Sequence, residues 1–252
     1  MTTATGVRPL RRYVDHAMGM PVSLALRGDH TDDSLALGAW AEAMATLRDV
    51  DRVFSTYRPD SLVSRLARDE LSVADCPPEV AEVLALGELA RLQSHGAFDV
   101  RRDGVLDPSG VVKGWAVERA SRPLVALPDT DVCLSAGGDL VCRVAGPDSP
   151  DWRIGIEDPR DPSGVVAVVP VRAGAVATSG RAHRGDHVVD ARTGLAPDGV
   201  ASVTVVHDDL TWADIDATAA YAMGRDAARW LRTRPRRTGL VVWADGRTEL
   251  VP

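Results

Sequence analysis

Residues 130–207 contain the apolar runs that decide the fold class: DVCLSAGG (131–138), LVCRVAG (140–146), WRIGIEDP (152–159), VVAVVPVRAGAVATS (165–179) and VASVTVVH (200–207). Glycine, proline and aspartate separate these runs, as is typical of strands joined by turns. A further hairpin is predicted in LVVWADGRTELVP (240–252), which carries Asp-Gly at 245–246. The second half of the chain therefore predicts mixed or antiparallel sheets.

Apolar residues at helical spacing predict four helices. The predicted helices cover residues 31–54, residues 78–96, a short segment near Lys113 and about 212–234. Asp32, Asp33 and Ser34 are the cap candidates of the first helix, and Gly96 ends the second. These helices supply the surfaces that would pack against the sheets.

The order of the elements predicts an α+β fold, with helices early, a sheet late, and then a helix and a hairpin. Residues 14–27 are predicted to form one strand, interrupted at Gly19. We expect a single compact domain over residues 1–252, with residues 1–12 disordered. A chain of 252 residues is long enough to bury a substantial core.

Composition narrows the classes of function. The net charge of −7 argues against a general nucleic-acid binder, which needs a basic face. No apolar run approaches the ~20 residues of a membrane span. The first 20 residues carry neither an apolar segment nor a cysteine for lipid attachment, so we expect a cytoplasmic protein. Cys76, Cys133 and Cys142 lack metal-type spacing and are expected to be reduced and structural.

Lysine occurs once in this chain. The sequence has 29 lysines and arginines, of which 28 are arginine, and Lys113 lies in LDPSGVVKGWAVERA (106–120). A lysine is a compact point charge and an arginine is a wide planar fork, so a narrow site beside a phosphate or carboxylate would select lysine. Gly110 and Gly114 would let a ligand approach the backbone closely. The alternative is one remaining lysine on a surface helix.

The segment TWADIDATAAYAMG (211–224) has two interpretations. Thr211 followed three residues later by Asp214 resembles a capping box, which is purely structural. Asp214 and Thr218 are four residues apart, so they would share one face of a helix. A carboxylate and a hydroxyl on one face are suitable oxygen ligands for Mg²⁺.

Two further segments carry candidate site residues. In SAGGDL (135–140), Gly137 and Gly138 form either a tight turn or a backbone surface against a ligand, and Asp139 follows them. The polar segment 177–197 places His187 directly before Val-Val-Asp, a short predicted strand that would fix the direction of the imidazole. Long polar loops in compact domains are often functional.

Seven motifs in this order resemble the ApbE flavin transferases, which are FAD:protein FMN transferases formerly grouped with thiamine biosynthesis lipoproteins. The motifs are MGM (18–20), FSTYRPDSLVSRL (54–66), GAFDV (96–100), LDPSGVVKGWAVERA (106–120), SAGGDL (135–140), ATSG and HVVDARTGLAP (within 177–197) and ADIDATAAYAMG (213–224). The resemblance covers about residues 14–225. Each motif alone is weak, and their common order makes the resemblance specific.

The resemblance implies Mg²⁺-dependent transfer of FMN from FAD to a Ser or Thr hydroxyl of an acceptor flavoprotein, with release of AMP. It implies that Asp214 and Thr218 bind the metal through side-chain oxygens and Gly110 through its carbonyl. His187 matches the base that activates the acceptor hydroxyl. The residues that match nucleotide contacts are Met18, Tyr57, Ala97, Phe98, Asp99, Asp107, Lys113, Gly137, Gly138, Asp139 and Val189.

The sequence also departs from the family pattern. Family members usually carry a further segment between the GAFD motif and the Asp-x-x-G-x-x-K-G motif, whereas GAFDVRRDGVLDPSGVVKG (96–114) runs straight through. In family members, that segment normally forms part of the binding-site wall around the flavin. Two alternatives remain open: a Mg²⁺-dependent FAD pyrophosphatase, in which water replaces the acceptor hydroxyl, and a protein that binds FAD without turnover.

Overall fold

An eight-stranded antiparallel sheet forms the centre of the fold. The computed structural model describes residues 10–102, 104–181 and 188–252. The strands, in chain order, are β1 (Leu10–Ala17), β2 (Met20–Gly28), β3 (Arg101–Arg102), β4 (Val105–Leu106), β5 (Thr130–Ala136), β6 (Asp139–Arg143), β7 (Trp152–Asp158), β8 (Asp161–Val171), β9 (Ala173–Gly180), β10 (Val200–His207), β11 (Thr238–Trp243) and β12 (Thr248–Val251). The central sheet has the order β1-β2-β5-β6-β9-β10-β11-β12, while β3–β4 and β7–β8 form separate two-stranded sheets.

Six α-helices accompany the strands in the described part of the chain. They are α1 (Ser34–Phe54), α2 (Leu62–Ala67), α3 (Pro78–Gln93), α4 (Ser109–Val125), α5 (Leu210–Ala222) and α6 (Ala227–Leu231). Helix α4 packs against α1 on one side and α5 on the other, and both α4 and α5 contact the central sheet. The predicted α+β class is confirmed, with antiparallel pairing throughout the central sheet.

The two faces of the central sheet bury different clusters. The main core lies on the helix face, where Leu134 and Val203 are fully buried against the helices. The opposite face is covered by the β7–β8 hairpin, whose Ile154 and Ile156 pack with Cys142 and other residues in a second cluster. Within the described part of the chain, a helix with the length and hydropathy of a membrane span is absent.

The N-terminal segment is a hairpin, so the prediction of one interrupted strand over 14–27 is wrong. Met18 and Gly19 both have positive φ, at 53° and 69°, which reverses the chain between β1 and β2. Two successive residues of this kind are typical of a type I′ turn. The prediction of disorder over 1–12 is wrong for residues 10–12, since Leu10 opens β1 and pairs with Arg27.

Two helix predictions also need correction. The helix near Lys113 is not short but spans 17 residues, beginning at Ser109. The single helix predicted over 212–234 is divided, because α5 ends at Ala222 and Gly224 has a φ of 58°. A Cβ on Gly224 would lie 2.6 Å from the carbonyl oxygen of Asp198, so this position also excludes a side chain. The predicted first helix is confirmed, with Asp33 as its cap.

We expect Gly224→Ala to destabilise the fold by about 2–4 kcal/mol, because left-handed strain adds to a backbone collision. Gly19→Ala is the matched control, since its φ of 69° is similar but no atom lies within 4 Å of the added Cβ. The control should lose only about 1–2 kcal/mol. Urea unfolding with unchanged m-values measures both, and equal losses would contradict the role of the Asp198 contact.

Candidate functional site

A cavity of about 580 Å³ lies where α4, α5, the β5–β6 turn, β7 and β9 meet. Most of the residues that the sequence predicts to bind cofactor or metal line it. These are Ala97, Phe98, Asp99, Asp107, Gly110, Lys113, Gly137, Gly138, Val189, Asp214 and Thr218. The tertiary structure therefore gathers, around one cavity, motifs that are spread over about half of the chain.

The close crossing of α4 and α5 forms the base of the site. A Cβ on Gly114 would lie 2.8 Å from the Cβ of Asp214 and 2.8 Å from the carbonyl oxygen of Leu210. Because glycine has no Cβ, the backbone N–H of Gly114 can instead donate to Asp214 Oδ2 at 3.0 Å. The sequence predicted that a ligand would approach the backbone closely at this glycine. In the structure, it is helix α5 that lies against Gly114.

Lys113 lies between two buried carboxylates. Its Nζ is 2.6 Å from Asp139 Oδ2 and 3.3 Å from Asp214 Oδ1, and the side chains of the two aspartates are only 1% and 2% exposed. A compact ammonium can serve two carboxylates in this space, whereas a planar guanidinium is wider. Lys113 is therefore part of the site and not a remaining surface lysine.

Asp139 also ties the central sheet to the site. Its other oxygen, Oδ1, accepts a hydrogen bond at 3.2 Å from the backbone N–H of Thr178 on β9. Asp139 does not line the cavity itself but contacts Lys113, which does. Asp139 is the first residue of β6, next to the Gly137–Gly138 turn, and from there its carboxylate positions the Lys113 ammonium.

The charge balance around Lys113 favours an additional cation. Burial, opposed by the attraction of Lys113 and aided by the neighbouring Asp139 carboxylate, raises the pKa of Asp214 to about 7. One ammonium shared by two carboxylates leaves a surplus of negative charge when both are ionised. Buried charge of this kind is unfavourable unless it is paired or bound to a cation.

Asp214 and Thr218 lie one turn apart on α5, as predicted, and both line the cavity. The hydroxyl of Thr218 lies 2.9 Å from the hydroxyl of Ser179 on β9. The capping-box interpretation of Thr211 and Asp214 is wrong, because the side chain of Asp209 caps α5 by accepting from the N–H of Trp212. The side chain of Asp214 therefore does not cap the helix, and Asp214 lines the cavity.

Glu118 is a residue of this region that sequence reasoning missed. Its Oε2 accepts a hydrogen bond at 2.7 Å from the backbone N–H of Leu210, the first residue of α5. Burial raises the pKa of Glu118. Glu118 lies one turn after Gly114 on α4, and Leu210 lies one turn before Asp214 on α5. The Glu118–Leu210 and Gly114–Asp214 hydrogen bonds together fix the helix crossing.

The cavity wall contains other residues that the sequence did not single out. Ser202, Ile154, Ile156 and Glu157 line it beside Ser179, which belongs to the predicted polar segment 177–197. The first four come from β7 and β10, and their positions depend on how the β7–β8 hairpin folds over the sheet. No local pattern in the sequence indicates that packing.

The GAFDV motif meets the segment after residue 187 at the cavity mouth. The backbone N–H of Ala191 donates to the carbonyl of Ala97 at 3.1 Å. A Cβ on Gly110 would lie 3.0 Å from the ring of Phe98, so glycine at 110 makes room for that ring. Asp107 Oδ1 accepts from the N–H of Ser109 at the start of α4.

Besides Asp139, two predicted site residues in the described ranges, Met18 and Tyr57, do not line the cavity. Met18 lies in the β1–β2 turn and packs partly buried against the main core. Tyr57 is 96% exposed. His187 lies outside the described residues, as does His183 in the same segment. Their roles stay predictions.

The described residues hold no group of three or more His, Cys, Asp or Glu side chains that could bind a metal. A cation at Asp214 would therefore need hydroxyl or carbonyl oxygens, and Thr218 supplies the first kind. Gly110 also lines the cavity, so its carbonyl is the candidate of the second kind.

The sequence profile of the ApbE family matches residues 18–103 and 101–241. The chain belongs to the ApbE family. The two matched parts meet at residues 101–103, between the GAFDV motif and LDPSGVVKGWAVERA. In this ApbE chain, the short β3–β4 hairpin occupies that position, and Val105 at the cavity is 60% exposed.

Similar proteins include an FAD:protein FMN transferase of Rhodobacter capsulatus, 36% identical over 213 residues that cover 81% of this chain and 37% of that protein. The chain thus spans little more than a third of that relative's length. The ApbE protein of Thermotoga maritima has a TM-score of 0.82 at 23% identity, covering 96% of both chains. The flavinyl transferase ApbE of Pseudomonas stutzeri has a TM-score of 0.81 at 22% identity, covering 97% of this chain and 96% of that one. At these identities, the structures show a shared fold.

We expect Asp214→Asn to change the pH dependence of stability in metal-free buffer. The folded pKa of Asp214, about 7, lies above the unfolded value of about 4, so protonated Asp214 adds stability that is present below about pH 4 and lost as pH rises through about 7. The asparagine variant stays neutral. Wild type should therefore lose stability relative to the variant between about pH 4 and about pH 7.

Chemical denaturation with a chelator across this range measures the difference. Asp198→Asn is the control, because this carboxylate is 80% exposed and its removal should leave the pH profile unchanged in shape. A constant difference between wild type and Asp214→Asn would show that Asp214 is ionised throughout.

Proposed function

We propose that this protein catalyses Mg²⁺-dependent transfer of FMN from FAD to a Ser or Thr hydroxyl of an acceptor flavoprotein, with release of AMP. The observation that carries the proposal is the buried Asp139–Lys113–Asp214 group beside Thr218 at the cavity. Membership of the ApbE family and the name of the Rhodobacter relative support this chemistry.

The charge of the cavity supports the need for a divalent cation. Lys113 is the single Lys or Arg among the described residues that line it, while Asp99, Asp107, Glu157 and Asp214 are acidic. The pyrophosphate of FAD is itself negative and would be repelled by this wall. A cation between the wall and the pyrophosphate would remove that repulsion.

Asp214 and Thr218 would bind Mg²⁺ through side-chain oxygens, and Gly110 through its carbonyl. Mg²⁺ prefers such oxygen donors and keeps other positions for water or substrate phosphates. When bound, it would neutralise charge on the pyrophosphate as the bridging bond breaks. Lys113 would hold the orientation of Asp214 and provide a second positive charge near the phosphates.

His187 would act as the base. A near-neutral imidazole can remove the proton of the acceptor hydroxyl, whose oxygen then attacks the phosphorus of the FMN portion. The bond from that phosphorus to the bridging oxygen breaks, and AMP leaves. The acceptor gains a phosphoester link to riboflavin.

An FAD pyrophosphatase is the second candidate function. Val105 on the short β3–β4 hairpin lines the cavity and is 60% exposed, which would give water access to the same phosphorus. The products then would be AMP and free FMN. A protein that binds FAD without turnover would release neither.

The central test incubates the protein with FAD, Mg²⁺ and a candidate acceptor flavoprotein, and follows AMP by chromatography and the acceptor by mass spectrometry. We expect AMP and an acceptor that gains one FMN less one water. Asp214→Ala should lower this rate by at least about 100-fold, because metal stabilisation of charge contributes several kcal/mol. AMP with free FMN would identify the pyrophosphatase, and intact FAD would contradict both activities.

Lys113→Arg should lower the rate on the order of 100-fold although the positive charge is retained, because a wider cation would displace Asp214. Steady-state kinetics with varied FAD measures the loss. Arg122→Lys provides the matched control, as an exchange of the same two residue types on α4 at an exposed position. Equal activity of Lys113→Arg and wild type would show that the site does not require an ammonium.

A further inference from the structure

Cys133 and Cys142 face each other across neighbouring strands. They are direct partners in the antiparallel pairing of β5 and β6. Their sulfur atoms lie 3.5 Å apart, with the thiol of Cys142 donating to the sulfur of Cys133. Both cysteines are free thiols in this structure. The sequence, in which they are nine positions apart, gives no sign of this contact.

The backbone at this pair can accept a covalent bond. Opposed residues of an antiparallel pair have Cα atoms about 4.5–5.5 Å apart, and disulfides span about 4.4–6.8 Å between Cα atoms. Both side chains point to the same face of the sheet, because directly opposed residues do so. A disulfide here therefore requires side-chain rotation and no rearrangement of strands.

The two thiols have different chemical roles. The hydrogen bond from Cys142 lowers the pKa of Cys133, and the Arg12 guanidinium lowers it further, although burial opposes both effects. The same hydrogen bond, together with burial, raises the pKa of Cys142. Cys133 is partly exposed and Cys142 is only 2% exposed. A small oxidant can therefore reach the thiol that more readily forms a nucleophilic thiolate.

We propose that Cys133 and Cys142 form a reversible dithiol–disulfide site that takes a hydroperoxide as its oxidant. The thiolate of Cys133 attacks one peroxide oxygen, the O–O bond breaks, and water or an alcohol leaves after taking up a proton. Cys133 is then a sulfenic acid. The sulfur of Cys142 attacks the sulfur of Cys133, the S–O bond breaks, and the departing hydroxide takes the Cys142 proton as water. The two thiols lose two electrons, and the peroxide gains them.

The site is separate from the chemistry proposed for the cavity. Cys142 belongs to the cluster under the β7–β8 hairpin, on the face of the sheet opposite the helices that carry Lys113 and Asp214. The same β5–β6 hairpin nevertheless carries the turn at Gly137 and Gly138 to the cavity. Its oxidation can be measured without FAD, so failure of this proposal is distinguishable from failure of the proposed transferase activity.

The test treats the full chain with hydrogen peroxide, denatures it, alkylates free thiols and measures intact mass and disulfide-linked peptides. We expect loss of two of the three thiols, one intrachain link between Cys133 and Cys142, and full recovery of the thiols with dithiothreitol. Cys142→Ser should instead accumulate a sulfenic acid on Cys133 that dimedone traps.

Cys76→Ser is the matched control, because Cys76 follows the 3₁₀ helix Val73–Asp75 outside the sheet. This variant should form the same link to the same extent as wild type. Three alkylatable thiols after peroxide treatment would overturn the proposal. A link between chains, a link that includes Cys76, or over-oxidation of Cys133 without a link would overturn it equally.

Discussion

The close crossing of α4 and α5 is the constraint on which the site depends. Gly114 leaves no side chain between the helices, so its N–H reaches Asp214 directly. A side chain there would collide with the backbone of Leu210 and separate the helices. Lys113, the neighbouring residue on α4, could then no longer contact Asp214. Glu118 holds the same crossing one turn further along α4.

The crossing has an electrostatic consequence for the cavity. It brings an ammonium and a carboxylate from two helices against Asp139 from the sheet, all within one buried group. Two carboxylates then share one cation, and burial keeps the pKa of Asp214 high. The arrangement is unfavourable for a resting protein and favourable for one that binds a cation and a phosphate together. The proposed function and the local instability therefore have the same physical source.

Elements specified by local patterns could be predicted, and elements specified by distant contacts could not. The first helix follows from the helical spacing of its apolar residues. Its cap is also a local contact, because the Asp33 side chain accepts from the N–H of Ala36, three residues later. The C-terminal hairpin follows from Asp-Gly. The β1–β2 reversal was missed because Met18 adopts a positive φ, which is uncommon for methionine. The helix break at Gly224 was missed because its cause is a contact with Asp198.

The sequence by itself determined the α+β class, the order of family motifs and the choice of Lys113, Asp214 and Thr218 as candidate site residues. These features can be recognised from the spacing of residues that are close together in the chain, because that spacing sets their positions within one helix or strand. Only the tertiary structure decided that Asp139 would hold the lysine and that Cys133 would face Cys142. Strand register and helix crossing set those contacts, and both depend on packing between segments far apart in the chain.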